Sequence, residues 1–538
     1  MTDQVFDYVI VGAGSAGCVL ANRLSADPAI RVALLEAGPT DRSWLGKLLI
    51  ETPAGVAGLL ARPYFNYMFN YQQDEREGAV PIYCPRGRVL GGSSAINGMV
   101  YTRGQPEDYD HWAEQGASGW SFEEVLPYFK RSENWNRGTS DYHATGGELD
   151  VSDARDPHPI SEALVRAAER LQYPRNADFN GARQDGFGHF QVNQRNGRRL
   201  SAAAAFLRPV EKRPNLTILT DCLTQSILLE DKRAVAVEVR RGGQLQRISA
   251  RTEVIVAAGA IGSPHLLLLS GIGAGQELSR NGIAVNHDLP GVGANLQDHQ
   301  DVMMCYTSHD ATLYGMSWRA LPWMVSAPFK YLLGRKGPLT SNTVESGGFI
   351  RSAPDVERPD LEIILGPELM NQRQHLFPRG HGFSFHISLL RPKSRGSIGL
   401  ASADPAEAPV IKGNFLGHPD DLATLRRGVR IARQLAATHP LANYVEAEIL
   451  PGESTDTDDE LDAFIHSSLG TTFHPVGTCR MGQDEQAVVD PELRVRGITG
   501  LRVIDASVMP TITSAPTNAP TYMIAEKGAA MVLAARYA

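Results

Sequence analysis

Residues 6–25 read FDYVIVGAGSAGCVLANRLS. A strand-like apolar run, Tyr8 to Val11, leads directly into Gly12-x-Gly14-x-x-Gly17, and a helical pattern of Cys18, Leu20, Ala21 and Leu24 follows. RVALLEAG then supplies a second strand that ends in Glu36, 19 residues after Gly17. That spacing matches a βαβ dinucleotide site, where the acid follows the glycines by about 20 residues. The glycines permit a tight turn, close backbone approach to a diphosphate, and close helix–strand packing; the helix N-terminus favours the phosphate charge. Glu36 can accept hydrogen bonds from ribose hydroxyls. A bare GxGxxG is weak, but strand, glycines, helix, strand and acid in this order are a strong signal. The motif alone does not separate NAD from FAD. No second unit of this kind occurs, since GIGAG at 271–275 follows a helical run and GVGANL at 291–296 a loop. One nucleotide site at the start of the chain favours a tightly held flavin.

The rest of the chain sets bounds. Its 538 residues exceed one ordinary core and predict at least two domains. With 42% hydrophobic and 21% charged residues it is globular. A net charge of −8 argues against a nucleic-acid binder. The five cysteines are odd in number and form no Cys-x-x-Cys, which predicts reduced structural thiols. No basic, cleavable leader precedes Phe6, so no signal peptide is expected. The longest uncharged stretch, 254–276, is broken by Gly259, Gly262, Ser263, Pro264 and His265. It predicts a buried strand, a turn, and a helix starting near Pro264 with Ser263 as its cap, rather than a membrane span. Surface association with a membrane stays open. Residues 215–259 read as a strand meander, 361–405 carry further strand-like runs, and 418–438 is a helix.

PRGRVLGGSSAINGMVYTRG, 85–104, is the second informative segment. Gly91 and Gly92 with two serines offer free backbone N–H groups that can cradle an anion or lie against a flat ring. With the fingerprint, GAIGSPHLLLLSGIG (259–273), HPVGTCRMG (474–482) and LRVIDASVMPTITSAPTNAPTYMIAEKGA (501–529), it makes the chain resemble the glucose–methanol–choline (GMC) family of flavoprotein oxidoreductases. The resemblance spans almost the whole chain and is nearest to bacterial FAD-dependent alcohol, sorbose and choline dehydrogenases.

That resemblance implies FAD as cofactor and an α/β plus α+β fold: a discontinuous Rossmann-like FAD-binding domain, and a substrate domain built on an antiparallel sheet flanked by helices. The expected division is 1–155, 200–300 and 470–538 for FAD, and 156–199 and 301–469 for substrate. It further implies a set of cofactor contacts. Gly12, Gly14, Ser15, Ala16 and Gly17 belong to the fingerprint, with Glu36 and Ala37 after it. Arg88, Val89, Gly91, Gly92, Ser93, Asn97, Gly98, Met99 and Val100 come from the second segment. Thr224 would meet adenine, Ala258 and Gly259 would underlie the cofactor, and Asp505, Ala506, Ala519 and Pro520 would complete the site. Relatives that attach FAD covalently do so through a histidine just before the asparagine. Here that position is Ile96, so non-covalent FAD is expected.

His474 on its own could be a base, a metal ligand or a loop residue. His466, His474 and Cys479 lie near one another but no metal motif frames them, so no metal is expected. Oxidising an alcohol to a carbonyl needs a proton acceptor beside the hydride acceptor, and imidazole titrates near neutrality. The resemblance assigns that role to His474 and places Asn518 at the substrate oxygen as a hydrogen-bond donor. Choline-oxidising relatives carry a glutamate at the position of Asp301; the shorter aspartate points to a neutral alcohol. Asp298 and His299 read as structural. The expected partners are a small-molecule alcohol and a quinone or similar electron acceptor. The expected location is cytoplasmic, at most peripheral to the inner membrane. Choline dehydrogenase or an O₂-using alcohol oxidase is the alternative, and a flavin-containing hydroxynitrile lyase the alternative of another class. Substrate identity and oligomeric state stay open.

Overall fold

The computed structural model describes residues 4–72, 81–370 and 380–537. The chain opens with strand β1 (Gln4–Val11), helix α1 (Ser15–Leu24) and strand β2 (Val32–Leu35), followed by helix α2 (Trp44–Glu51). Strands β3 (Leu216–Leu219), β4 (Cys222–Glu230), β5 (Arg233–Arg241) and β6 (Gln244–Val256) form the meander, which runs into helix α3 (Gly259–Leu269). Strand β7 (Gln300–Thr307), helix α4 (Leu321–Gly334), strands β8 (Ser346–Ile350), β9 (Leu361–Gly366) and β10 (Gly382–Leu389), and helix α5 (Pro419–Ala436) follow. The chain closes with β11 (Ala447–Leu450), β12 (Leu469–Thr471), β13 (Leu501–Val503) and helix α6 (Asn518–Tyr537).

Two large sheets organise these elements. The first has β3, β2, β1, β6 and β13 side by side, all parallel, with β5 added antiparallel to the long β6 and β4 antiparallel to β5. This is the Rossmann-like unit. Its central strands read as continuous apolar runs because helices cover both faces, and Val9, Ile10, Leu34, Val254 and Ile255 are fully buried. The second sheet, β8-β9-β10-β7-β11 with β12 also beside β7, is antiparallel throughout. Helix α5 covers one of its faces with Leu425, Val429, Ala432 and Leu435. Their i, i+4, i+7 spacing explains both the helix and the side it buries.

The strand–turn–helix reading of 254–276 needs one correction. Helix α3 begins at Gly259, not at Pro264, so Pro264 lies inside it. Proline there removes the N–H that would bond Ala260 C=O. Thr478 supplies the missing donor: its Oγ1 donates to that carbonyl at 2.6 Å. Ser263 is likewise not the cap but lies inside the helix, where its Oγ accepts from the Ala258 N–H at 3.1 Å and donates to Asp505 Oδ2 at 2.5 Å. Among the described residues no helix is long and apolar enough to cross a membrane.

Candidate active site

A cavity of about 600 Å³ lies between the two sheets, within the usual size range for a bound cofactor or ligand. Val11, Leu35 and Ala257 line it from the first sheet, and Met303, Ile364 and His386 from the second. Three helices start on its wall: α1 at Ser15, α3 at Gly259 and α6 at Asn518. The positive ends of three helices face one space, which suits a diphosphate, although the Gly259 N–H at the start of α3 is already taken by Asp505.

The backbone there is shaped for a close-lying group. A Cβ on Gly12 would stand 2.5 Å from Ala257 O, and one on Gly92 would stand 2.6 Å from Gly14 Cα. Gly259 has φ +79° and no atom within 4 Å of where its Cβ would be. That empty position opens onto the cavity, so a side chain would intrude where a ligand lies. Glu36 is buried and accepts from the N–H groups of Ala13 (3.0 Å) and Gly38 (2.9 Å). Burial pushes its carboxyl up to about 7. It lines the far end of the cavity with Ala37 and Thr224. Met99, Thr343 and Phe473 on the wall hold φ of 60°, 68° and 67°, a cluster of left-handed non-glycine residues of the kind that marks functional sites. These features fit FAD: a glycine cradle, helix N-termini for the diphosphate, an acid for the ribose, and space for the rings.

Most of the residues expected at the cofactor line this cavity, including Gly12, Gly14, Ser93, Asn97, Met99, Ala258 and Ala506. Six do not. Gly17 packs α1 onto the turn, where a Cβ would meet Gly12 O at 1.9 Å. Gly91 donates its N–H to Ala13 O at 2.8 Å and so ties the two glycine loops together. Val89 is buried in a separate apolar cluster. Arg88 is exposed over the Tyr67 ring, and Arg86 takes its place on the wall. Ala519 and Pro520 are buried in the first turn of α6. Asp505 is on the wall, but its carboxylate is occupied by the N–H groups of Gly259 and Ser507 and by Ser263. No motif pointed to Arg199, which is buried and donates to Asn97 Oδ1 at 2.8 Å, fixing the second glycine segment.

His474 stands on the same wall, and its surroundings define its proton. His299 Nε2 lies 3.1 Å from the Thr513 carbonyl, so that nitrogen must donate. Burial pushes His299 down to about 4 and keeps it neutral. Its Nδ1 is therefore an acceptor, 3.0 Å from His474 Nδ1. His474 Nδ1 then carries the hydrogen, with Thr472 Oγ1 a second neighbour at 3.0 Å. Assigned from these hydrogen bonds, the lone pair of His474 is on Nε2, for which no protein partner occurs among the described residues. Burial first, then repulsion from His299 at the low pH where that ring is itself protonated, then the Arg86 charge, hold His474 well below the ordinary imidazole value. The backbone is pinned as well: Asp298 Oδ1 accepts the His474 N–H at 2.6 Å, and Tyr71 donates to Asp298 Oδ2 at 2.6 Å. Asp298 and His299 thus hold the backbone and ring of His474, a role that reading them as structural residues did not reveal.

Asn518 does not hydrogen-bond His474. Its Oδ1 accepts from Ser15 Oγ at 2.7 Å, joining α6 to α1 and leaving its Nδ2 group as a donor. Asp301 is buried and absent from the wall; its Oδ2 is 2.7 Å from Nδ1 of His386, which does line the cavity.

The sequence matches the family model of the GMC oxidoreductases over 6–301 and, for its C-terminal part, 392–525. It is 44% identical over 532 residues to an alcohol dehydrogenase (acceptor) of Pseudomonas putida, covering 98% of this chain and 96% of that protein. It is 40% identical over 536 residues to an oxygen-dependent choline dehydrogenase of Photobacterium profundum, covering 99% and 93%. Among solved structures, pyridoxine 4-oxidase from Mesorbium loti superposes with TM-score 0.89 at 31% identity over 98% of both chains. A formate oxidase variant of Aspergillus oryzae does so with TM-score 0.91 at 29% identity over 100% of both.

Proposed function

The chain belongs to the GMC oxidoreductase family and is an FAD-dependent enzyme of alcohol oxidation; on that premise we propose that His474 is its base, a neutral alcohol its substrate and a quinone its electron acceptor. FAD, when bound, supplies the two-electron acceptor for the hydride leaving the alcohol carbon. His474 Nε2 takes the hydroxyl proton, so the alcohol loses a hydride and a proton and leaves as the carbonyl compound. The observation that carries this reading is the chain Thr513 C=O, His299, His474, which aims a lone pair into the cavity. A neutral imidazole there keeps its lone pair free across the neutral pH range, as a weaker base than an ordinary imidazole. Asn518 Nδ2, on the cavity wall, is the donor for the substrate oxygen, and the tie of its Oδ1 to Ser15 orients it. Flavin is held without a covalent bond, since Ile96 on the wall offers only hydrocarbon. The proposed division keeps FAD on 1–155, 200–300 and 470–538, and substrate on 156–199 and 301–469.

The His386–Asp301 pair supports a neutral substrate. A cation such as choline needs an available carboxylate, and this one is buried and paired. Met303, Ile364, Val344 and Met370 on the wall suit an apolar chain.

Anaerobic mixing with a series of alcohols tests the reading. His474→Ala should keep its FAD, and its reduction by substrate should slow on the order of 10²- to 10⁴-fold, the usual worth of a positioned general base. A variant that holds flavin and is reduced within a few-fold of the wild-type rate removes His474 from the chemistry. Choline outperforming every neutral alcohol in kcat/KM removes the substrate assignment.

A further inference from the structure

Helix α4 is built inside out. Its buried residues are Ala327 and Tyr331, one turn apart. Leu321, Val325, Phe329, Leu332 and Leu333 are 55%, 64%, 63%, 68% and 88% exposed, and Trp318 just before the helix is 80% exposed. Residues 316–333 hold eight of the seventeen large hydrophobic side chains exposed among the described residues. Soluble surfaces scatter such residues singly; a contiguous apolar stripe marks an interaction face. Tyr331 donates to the Glu51 carbonyl at 3.3 Å, which seats α4 beside α2, and there Trp44 and Leu48 are 77% and 57% exposed.

The charge on this face is one-sided. Residues 311–344 contain Arg319, Lys330, Arg335 and Lys336 and no aspartate or glutamate. Lys47 is exposed at α2; Arg42 beside it is paired with Glu211, and the acids Asp41 and Glu51 are paired with Arg208 and Arg198. An apolar stripe rimmed by cations and flanked by tryptophan is the composition of a helix that lies in a lipid interface. At 14 residues α4 is about 21 Å long, short of a bilayer's hydrocarbon core. A second copy of this chain fits poorly: a two-fold pairing through α4 would set cationic rims against each other with no acid in either stretch.

We propose that the exposed face of α4, continued by α2, docks this protein onto an anionic lipid bilayer surface. The wall behind that face is also the wall of the cavity. Pro53–Gly55 and Pro338–Thr340 pack together, and the segments that follow them place Val56, Leu60 and Val344 on the cavity lining. Docking therefore brings the site next to the phase where apolar alcohols and quinones dissolve. The proposal is independent of the role of His474.

Flotation of the holoenzyme with lipid vesicles tests it. The wild type should float with phosphatidylcholine vesicles containing phosphatidylglycerol at low salt, and float several-fold less with phosphatidylcholine alone or at high salt. A Leu332→Glu, Leu333→Glu double variant should stay with the soluble fraction while keeping its flavin and its turnover with a soluble dye. Lys330→Glu with Lys336→Glu should abolish the preference for phosphatidylglycerol. Tryptophan emission of the wild type, which needs no variant, should shift to the blue on adding the anionic vesicles, and Trp318→Phe should reduce that shift. The proposal is overturned if the wild type floats with neither vesicle and its emission does not move, or if the leucine variant floats as well as the wild type. It is equally overturned if sedimentation shows a wild-type dimer that the leucine variant splits, because a second copy then covers the face.

Discussion

His474 is neutral because it is buried and because His299, rather than a carboxylate, stands behind it. The sequence suggested an imidazole titrating near neutrality; the structure lowers that value well below it. Flavin reduction should accordingly be flat between pH 6 and 8. His299→Leu removes the acceptor that fixes the tautomer, and the loss of about one hydrogen bond should slow reduction roughly tenfold. His299→Asn, whose Oδ1 can occupy the Nδ1 position, should restore most of the rate. Equal losses in both variants would show that the ring merely fills space. NLQDH was visible in the sequence, but only the fold brings residue 299 to residue 474, so its role was not legible. Glu362 offers a second test. Both its carboxylate oxygens are buried without hydrogen-bond partners among the described residues, and burial and the nearby Asp301 push it up to about 8. A folded value above the unfolded one gives a contribution that is full below about 4.5 and is lost as pH rises toward 8. Urea unfolding at pH 5 to 8 should show wild-type stability falling by on the order of 1 kcal/mol per pH unit through this group. Glu362→Gln should flatten that slope. Parallel slopes would locate the titration elsewhere.

Among the elements, those with strong periodicity were legible. Strands β1 and β2 follow from continuous apolar runs, the meander from alternation and turn residues, and helix α5 from a 3.6-residue stripe. The start of α3 was not, because proline usually marks a first turn and here sits inside the helix. Its cost is offset by a side chain more than two hundred residues away, which no local rule can see. Thr478→Val should leave Ala260 C=O without its donor. We expect a loss of about 1–3 kcal/mol in unfolding free energy, the cost of an unsatisfied buried group. Flavin reduction should slow as well, because the same loop carries His474. Thr478→Ser should recover both. A valine variant with unchanged stability would mean that the carbonyl finds another partner. The apolar composition of α4 was equally plain in the sequence, yet a run such as WMVSAPFKYLL reads as well for a buried helix as for one lying on the surface. Only the packed structure shows which face has a neighbour.

For the whole molecule, the cavity between the sheets implies that the cofactor is part of the core. Acid precipitation should release yellow flavin into the supernatant, as expected when Ile96 offers no atom for a covalent link; colour kept in a washed pellet would contradict that. Chain stripped of FAD should melt several degrees below the holoenzyme, and added FAD should restore the melting temperature in a concentration-dependent way. At a thousandfold excess over Kd, binding contributes about 4 kcal/mol. An apo chain that melts at the holoenzyme temperature would show that the cavity walls stand without their ligand.

The parallel sheet also has a history in time. Strand β13 pairs with β6 across 247 positions of sequence, Val254 with Leu501 among them. Ser15 meets Asn518, and Arg23 meets Glu526, near the two ends of the chain. A ribosome delivers these partners in order, so the glycine turn made first waits for the helix made last. The nascent chain thus carries an unfinished nucleotide site through nearly all of its synthesis, with apolar strand edges uncovered. Cofactor capture is then expected to follow release, because a chain cut short before residue 501 lacks the part of the cavity wall made by Asp505, Ala506 and the start of α6.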